Sequence, residues 1–206
     1  MTTLVEAVAA PRFRARRQGR SALAFGAIAA VVGSLVVAAL AQVSIHLPLT
    51  PVPITGQTLG VLLVGASLGA SLGAISLLLY LVEGAIGLPF YAGGHHGLSY
   101  LGLSSVTGGY LWGFVLAAAV VGWLARRGWD RSIRSSIGAM FVGEVVVYGT
   151  GVPWLMAALH VPLEKGLELG LYPFVIGDTL KLFLAAGLLP TAWRTIGRTR
   201  MGSRGL

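Results

Sequence analysis

Four ionisable side chains, Glu83, Glu144, Asp178 and Lys181, fall inside long apolar stretches of this 206-residue chain. A charge at the centre of a bilayer costs roughly 2.5–3.5 kcal/mol on insertion scales, so groups of this kind are candidates for a binding site or an ion pathway. Asp178 and Lys181 are three residues apart and share a helical face. They can neutralise one another and still hold unused acceptors and donors for a ligand; the alternative use of the same spacing is a structural ion pair. Glu144 and Tyr148 are one turn apart, presenting a carboxyl and a phenol in the same direction. Glu83 follows Tyr80 by one turn near a span end, where it can reach interfacial water. Catalytic signatures are missing: there is no G-x-S-x-G elbow, no H-E-x-x-H and no P-loop, so neither an enzyme nor a self-contained ATPase is expected. No cofactor is implied. The adjacent His95 and His96 lack the helical spacing and third ligand of a metal site.

The elements that position these residues follow from composition. With 55% apolar and 11% charged residues and a mean hydropathy of +0.81, the chain cannot solvate its surface in water and must be covered by lipid. Apolar runs at Ser21–Ile45, Thr55–Gly69, Ala74–Leu88, Gly109–Ala125, Ser136–Leu159 and Tyr172–Trp193 predict six spans. The fold expected is an all-α integral membrane protein, a single bundle of six transmembrane helices. Uncharged Gly69-Ala70-Ser71-Leu72-Gly73 between the second and third runs predicts a tight hairpin.

The thirteen arginines cluster before span one (Arg12, Arg14, Arg16, Arg17, Arg20), after span four (Arg126, Arg127, Arg131, Arg134) and after span six (Arg194, Arg198, Arg200, Arg204). Six spans put all three clusters on one side. The positive-inside bias then makes both termini cytoplasmic, giving a basic segment over 1–20, a bundle over 21–194 and a basic tail over 195–206. The net charge of +8 is thereby an orientation signal, and nucleic-acid binding is not expected. The basic start followed by Ala39-Leu40-Ala41 has the outline of a signal peptide, but its apolar run is too long for one. That run also carries a small-residue ribbon, Ala22, Gly26, Ala30, Ser34 and Ala38, which serves close helix approach, either within the bundle or to a separate membrane subunit.

Two arginine-free outer loops are the other sites of interest. Three prolines between Pro48 and Pro53 stiffen an extended segment leading to Thr55, a candidate N-cap, and Gln57 beside the helix amides. The loop from Gly87 through Phe90, Tyr91, Gly93 and Gly94 to Gly109 has the length and glycine content of a binding loop.

Four blocks carry a resemblance: P-V-P-I-T-G-Q-T-L-G-V-L-L at 51 to 63, L-G-A-I-S-L-L-L-Y-L-V-E-G-A-I-G-L-P-F-Y-A-G-G at 72 to 94, T-G-G-Y-L-W-G-F at 107 to 114, and Y-P-F-V-I-G-D-T-L-K at 172 to 181. In these the chain resembles the BioY family, the biotin-specific substrate-binding S components of energy-coupling factor (ECF) transporters. The resemblance implies capture of biotin from the outer side of a prokaryotic cytoplasmic membrane. It also implies a transmembrane coupling subunit and two cytoplasmic ABC-type ATPases as partners, with the ribbon of span one as coupling surface. Asp178 and Lys181, matching G-D-x-x-K, then look like ligand contacts. The ureido ring of biotin offers two N–H donors and a carbonyl, which a carboxylate and a cation can meet together. Phe90, Tyr91 and Tyr148 are candidates for its apolar wall. Its carboxylate could face the amides near Gly93 and Gly94, or Thr55 and Gln57, or in a reversed pose Lys181. A stand-alone proton-coupled transporter using Glu83 or Glu144 is the alternative. Paired His95 and His96 are not explained by the motifs.

Overall fold

The computed structural model describes residues 2–13 and 20–202, with side chains over 2–8 and 22–196. Arg14, Arg16, Arg17 and Arg204 of the basic clusters lie outside the described residues. The elements are α1 (Leu4–Phe13), α2 (Arg20–Ala41), a two-residue antiparallel bridge β1 (Ser44–Ile45) with β2 (Ile54–Thr55), α3 (Gln57–Leu68), α4 (Ala70–Ala85), α5 (Gly108–Arg126), α6 (Ile133–Leu159), α7 (Leu163–Gly170) and α8 (Val175–Gly202). Short 3-10 turns at Ala92–Gly94 and Leu98–Leu101 shape the loop between α4 and α5.

Each of the six apolar runs contains a helix. Four of these helices, over Ala22–Ala41, Gly108–Arg126, Ile133–Leu159 and Val175–Ile196, are long and apolar enough to cross a membrane. This is a multi-pass membrane protein. At 12 residues α3 is shorter, spanning about 18 Å at 1.5 Å per residue. It joins α4 through the single residue Gly69, whose φ of 83° is left-handed and favours glycine. The hairpin packs so closely that a Cβ on Gly73 would lie 3.0 Å from the Cα of Gly65, and one on Gly122 of α5 would lie 2.4 Å from the Gly69 carbonyl carbon. Glycine is thus required on three elements at one crossing.

Helix α5 runs through the middle of the bundle between α3, α4 and α6 and buries Leu111, Phe114, Ala117, Ala118 and Val121. Helix α2 packs on α3 and α4 and exposes Leu23, Ile28, Val31, Val32 and Leu35. Its small-residue ribbon points mostly the other way: Ala30, Ser34 and Ala38 are buried, Gly26 is half-buried and Ala22 is exposed. A Cβ on the neighbouring Gly33 would lie 2.5 Å from Ser76 Oγ of α4, so small residues on α2 serve contact inside the bundle. Of the two uses that the ribbon's spacing allows, Ala30, Ser34 and Ala38 are placed for packing within the isolated bundle, while Gly26 and Ala22 remain reachable from outside it.

Three further elements depart from the sequence reading. Thr3 and Glu6 exchange hydrogen bonds, Thr3 N to Glu6 Oε2 at 3.1 Å and Glu6 N to Thr3 Oγ1 at 3.3 Å. That reciprocal capping starts α1, a helix packed on α3 and α8 within the segment expected to be a basic arm. The stretch 160–171, between the fifth and sixth apolar runs, contains α7, seated on α6. The N-cap of α3 is Gly56 rather than Thr55, although Thr55 Oγ1 accepts the Gln57 N–H at 3.3 Å.

The bundle has two chemically distinct ends. At one end the α5–α6 connection meets the last turns of α8: Trp193 Nε1 donates to Asp130 Oδ2 at 2.5 Å and the Arg131 guanidinium lies 4.7 Å from the Trp193 ring centroid. Arg127 covers Trp123 at 3.6 Å, and Thr3 and Arg126 flank Gly69 at the same end. Burial pushes the Asp130 carboxyl above its usual range, against the opposing pull of the Trp193 hydrogen bond and Arg131. At the other end lie the proline-rich hairpin and the glycine-rich loop.

Candidate functional site

A cavity of about 550 Å³ opens at the loop end, enclosed by the β1–β2 hairpin, the α4–α5 loop and helices α3, α5, α6 and α8. Its polar floor is built from three helices. Asp178 lies in the first turn of α8, just past the turn Tyr172-Pro173-Phe174, and Lys181 is one turn further on. Lys181 Nζ donates to Asp178 Oδ1 at 2.7 Å and to Thr58 Oγ1 of α3 at 3.2 Å; Thr58 Oγ1 is also 3.1 Å from Asp178 Oδ1. The Tyr148 hydroxyl of α6 donates to Asp178 Oδ2 in a short hydrogen bond. Both members of the ion pair are shielded, with side chains 15% and 7% exposed for Lys181 and Asp178. The pair is neutral as a whole. An ammonium has three donors, of which two are used here, so Lys181 retains one for a ligand.

The walls are mostly aromatic and aliphatic. Tyr110 and Phe114 of α5, Val147 of α6 and Phe174 line one side. Tyr110 packs edge-on to Tyr148, centroids 6.4 Å apart, and its hydroxyl donates to Gly170 O at 2.7 Å, tying α5 to the end of α7. Opposite, Gln57 is buried, donates through Nε2 to the Tyr80 hydroxyl, and accepts from Thr55 Oγ1 at 2.8 Å. The Gln57 carboxamide therefore holds a fixed orientation and keeps one Nε2 hydrogen free of these bonds.

The outer wall is an aromatic ladder. Tyr91 meets Tyr80 edge-on at 5.8 Å, and Tyr100 at 5.7 Å; His95 stacks on Tyr100 at 5.3 Å. Tyr91 is held in place by a 2.7 Å hydrogen bond from its hydroxyl to Leu81 O. Burial pushes this phenol up to about 12, which keeps it a donor across the neutral range. Gly84 makes room for the ring: a Cβ there would lie 2.2 Å from Tyr91 Cε1.

Of the sequence-predicted site residues, Asp178, Lys181, Tyr148, Thr55, Gln57 and Tyr91 line this one cavity. Glu144, Phe90, Gly93 and Gly94 do not. Glu144 is buried one turn away from Tyr148, and neither of its oxygens has a hydrogen-bond partner among the described residues. Phe90 packs against the core cluster, and Gly93 and Gly94 form the turn behind the cavity wall, where the Gly94 N–H is used by Tyr91 O at 3.0 Å. Glu83 is likewise not a lining residue, and its Oε2 has no partner among the described residues. Thr58, Tyr110, Phe174, His46 and His95 were missed. Thr58, Tyr110 and Phe174 lie inside the quoted sequence blocks, and Thr58 and Phe174 are one helical turn or less from Gln57 and Asp178, which is the signal that could have found them. Among the described residues no group of three His, Asp or Glu side chains gathers to hold a metal.

The sequence profile of the BioY family matches residues 11–198. The chain belongs to the BioY family. Among similar BioY proteins is one from Rhizobium etli named as a biotin transporter, 36% identical over 166 residues, which cover 77% of this chain and 87% of that protein. A second from Thermotoga maritima, also named as a biotin transporter, is 37% identical over 142 residues, covering 69% and 81%. A crystal structure described as the S-component for biotin from an ECF-type ABC transporter superposes with a TM-score of 0.74, covering 86% of this chain and 95% of that one at 23% identity. The BioY chain therefore shares the S-component fold. These BioY relatives are named as transporters, not as enzymes.

Proposed function

We propose that the protein is the biotin-binding S component of an ECF-type, ATP-driven vitamin importer in a prokaryotic cytoplasmic membrane, a transport subunit and not an enzyme. The observation that carries this reading is the shielded, neutral Asp178–Lys181 pair, braced by Thr58 and Tyr148, on the floor of an aromatic-walled cavity in a chain whose relatives are named biotin transporters. A carboxylate and an ammonium side by side suit a ureido ring, which presents donors and an acceptor together. The apolar walls suit a thiophane ring and an alkyl chain. Gln57 and Thr55 contribute to the polar lining and Tyr91 to the wall, while Glu144 acts behind the floor rather than on the ligand.

All six apolar helices traverse the bilayer in this reading, with 21–194 as the substrate-binding bundle and α3 and α4 embedded as a hairpin. The arginine-bearing end, with residues 1–20 and 195–206, faces the cytoplasm and the cavity faces outward. Since the chain has no P-loop, energy comes from two ABC-type ATPases acting through a transmembrane coupling subunit. The exposed apolar face of α2 meets lipid.

The test is equilibrium binding of labelled biotin to the purified chain without ATP: saturable binding that Lys181→Ala or Asp178→Ala weakens by about tenfold or more is expected. Unchanged affinity in both variants, with the fold intact, would remove the site. The buried, unpartnered Glu144 favours one second reading, a stand-alone proton-coupled transporter. Uptake that survives loss of the ATPases and collapses with the proton gradient would support it.

A further inference from the structure

Two imidazoles from separate outer loops line the mouth of the same cavity: His46, just after β1, and His95, just after the Ala92–Gly94 turn. Both lie outside the four sequence blocks that carry the family resemblance. The loops that carry them are packed together. A Cβ on Gly93 would lie 3.8 Å from His46 Cε1 and 3.8 Å from Ser44 Cβ, and Gln42 Nε2 donates to Pro89 O at 3.2 Å. His95 is further fixed by its stack on Tyr100 and by Tyr91 N donating to His95 O at 2.9 Å. Both imidazoles are exposed, and neither has a hydrogen-bond partner on its ring among the described residues.

Charge complementarity separates the two ends of the cavity. On the floor Lys181 is already neutralised by Asp178, so that end suits a neutral group with donors and acceptors. An anionic group finds unpaired donors at the mouth, where each imidazole presents a ring N–H. Besides the two histidines, the ionisable groups lining the cavity are Tyr91 and Tyr100 from the same loop as His95, Tyr110 from α5, Tyr148 from α6, and Asp178 and Lys181 from α8. Among these the carboxyl in the cavity, Asp178, is engaged by Lys181, Thr58 and Tyr148.

We propose that His46 and His95 form an anion subsite at the cavity mouth that takes the carboxylate end of the ligand while its ring end rests on Asp178 and Lys181. The subsite rests on the biotin reading above.

The experiment compares biotin with biotinamide, whose chain end is uncharged, by equilibrium binding to the full chain. The wild type is expected to bind biotin roughly 3- to 10-fold more tightly than the amide, as suits one or two partly exposed contacts to a charged group. In the His46→Ala/His95→Ala variant that preference for the acid is lost while the amide still binds. A variant that keeps the wild-type preference overturns the subsite, as does a wild type that binds the two ligands equally. If the folded wild type binds neither ligand, the biotin reading itself fails and the subsite with it.

Discussion

Replacing Lys181 by Met removes a charge while keeping most of the side-chain volume, and its consequences separate cleanly. Lys181 Nζ makes two hydrogen bonds within the protein, to Asp178 at 2.7 Å and Thr58 at 3.2 Å, and has one donor left. A hydrogen bond from a charged donor to a ligand is worth about 1.5–3 kcal/mol, so its loss should weaken biotin binding roughly 10- to 150-fold. The same substitution leaves Asp178 buried without its counter-charge, and breaking a shielded pair costs about 3–5 kcal/mol of stability. The two effects differ in how they respond to a second change. Asp178→Asn added to Lys181→Met removes the uncompensated charge and should recover most of the thermal stability, since Asn can still accept from Tyr148 and Thr58. It should not recover affinity, because neither the ammonium nor the carboxylate is restored. Calorimetric titration with biotin and thermal unfolding, run on the same detergent-purified samples, read the two quantities. Wild-type affinity in a folded Lys181→Met protein would refute the reasoning, as would recovery of affinity in the double variant.

Asp130→Asn should raise thermal stability at neutral pH. Burial raises the folded-state value of this carboxyl above its ordinary 3.8, so the native state binds the extra proton, and stability is highest at low pH and falls as pH rises above that ordinary value. An amide keeps an acceptor for Trp193 without that cost, so the advantage should shrink toward pH 4, and an advantage that grows on acidification would contradict the account. Gly84→Ala would ordinarily stabilise a helix by about 0.5–1 kcal/mol, but the Cβ meets Tyr91 at 2.2 Å, and the resulting overpacking costs about 1–3 kcal/mol. A lowered unfolding temperature and weakened biotin binding are expected; a stabilised protein with intact binding would show that the Tyr91 wall does not matter. Ala30→Leu should destabilise the isolated chain by about 1–3 kcal/mol, because Ala30 is buried. If the isolated chain is unaffected and only coupled uptake is lost, α2 docks a partner through this face.

The site was legible where charge is scarce. In a chain with so few ionisable groups, Asp178 and Lys181 stand out inside an apolar run, and their spacing predicts the pairing observed at 2.7 Å. Glycine at 69 likewise announced the α3–α4 turn, because an uncharged break inside an apolar stretch has few other uses. Depth and direction were less accessible. Tyr148 and Glu144 share a helical face, yet only Tyr148 lines the cavity, since one turn along α6 moves a side chain behind the floor. The ribbon of α2 defines a face but not its neighbour, and at Gly26 that neighbour is Leu72 of α4, 3.6 Å from where a Cβ would stand. Helix α7 escaped notice because eight residues are too few for a convincing apolar period, and it is stabilised by α6 and by the Tyr110 bond to Gly170. The capping pair Thr3 and Glu6 was readable as a helix start but was overshadowed by the arginines that follow it. His46 offered no local signal at all; only the packing of two loops makes it part of the mouth.

The central claim is that this chain by itself holds biotin in the cavity above Asp178 and Lys181. Equilibrium binding of labelled biotin to the purified chain, with neither ATP nor any partner protein present, tests it most directly. Saturable binding at one site per chain, displaced by unlabelled biotin, is expected. A sample that melts cooperatively, and so is folded, but shows no saturable binding would contradict it.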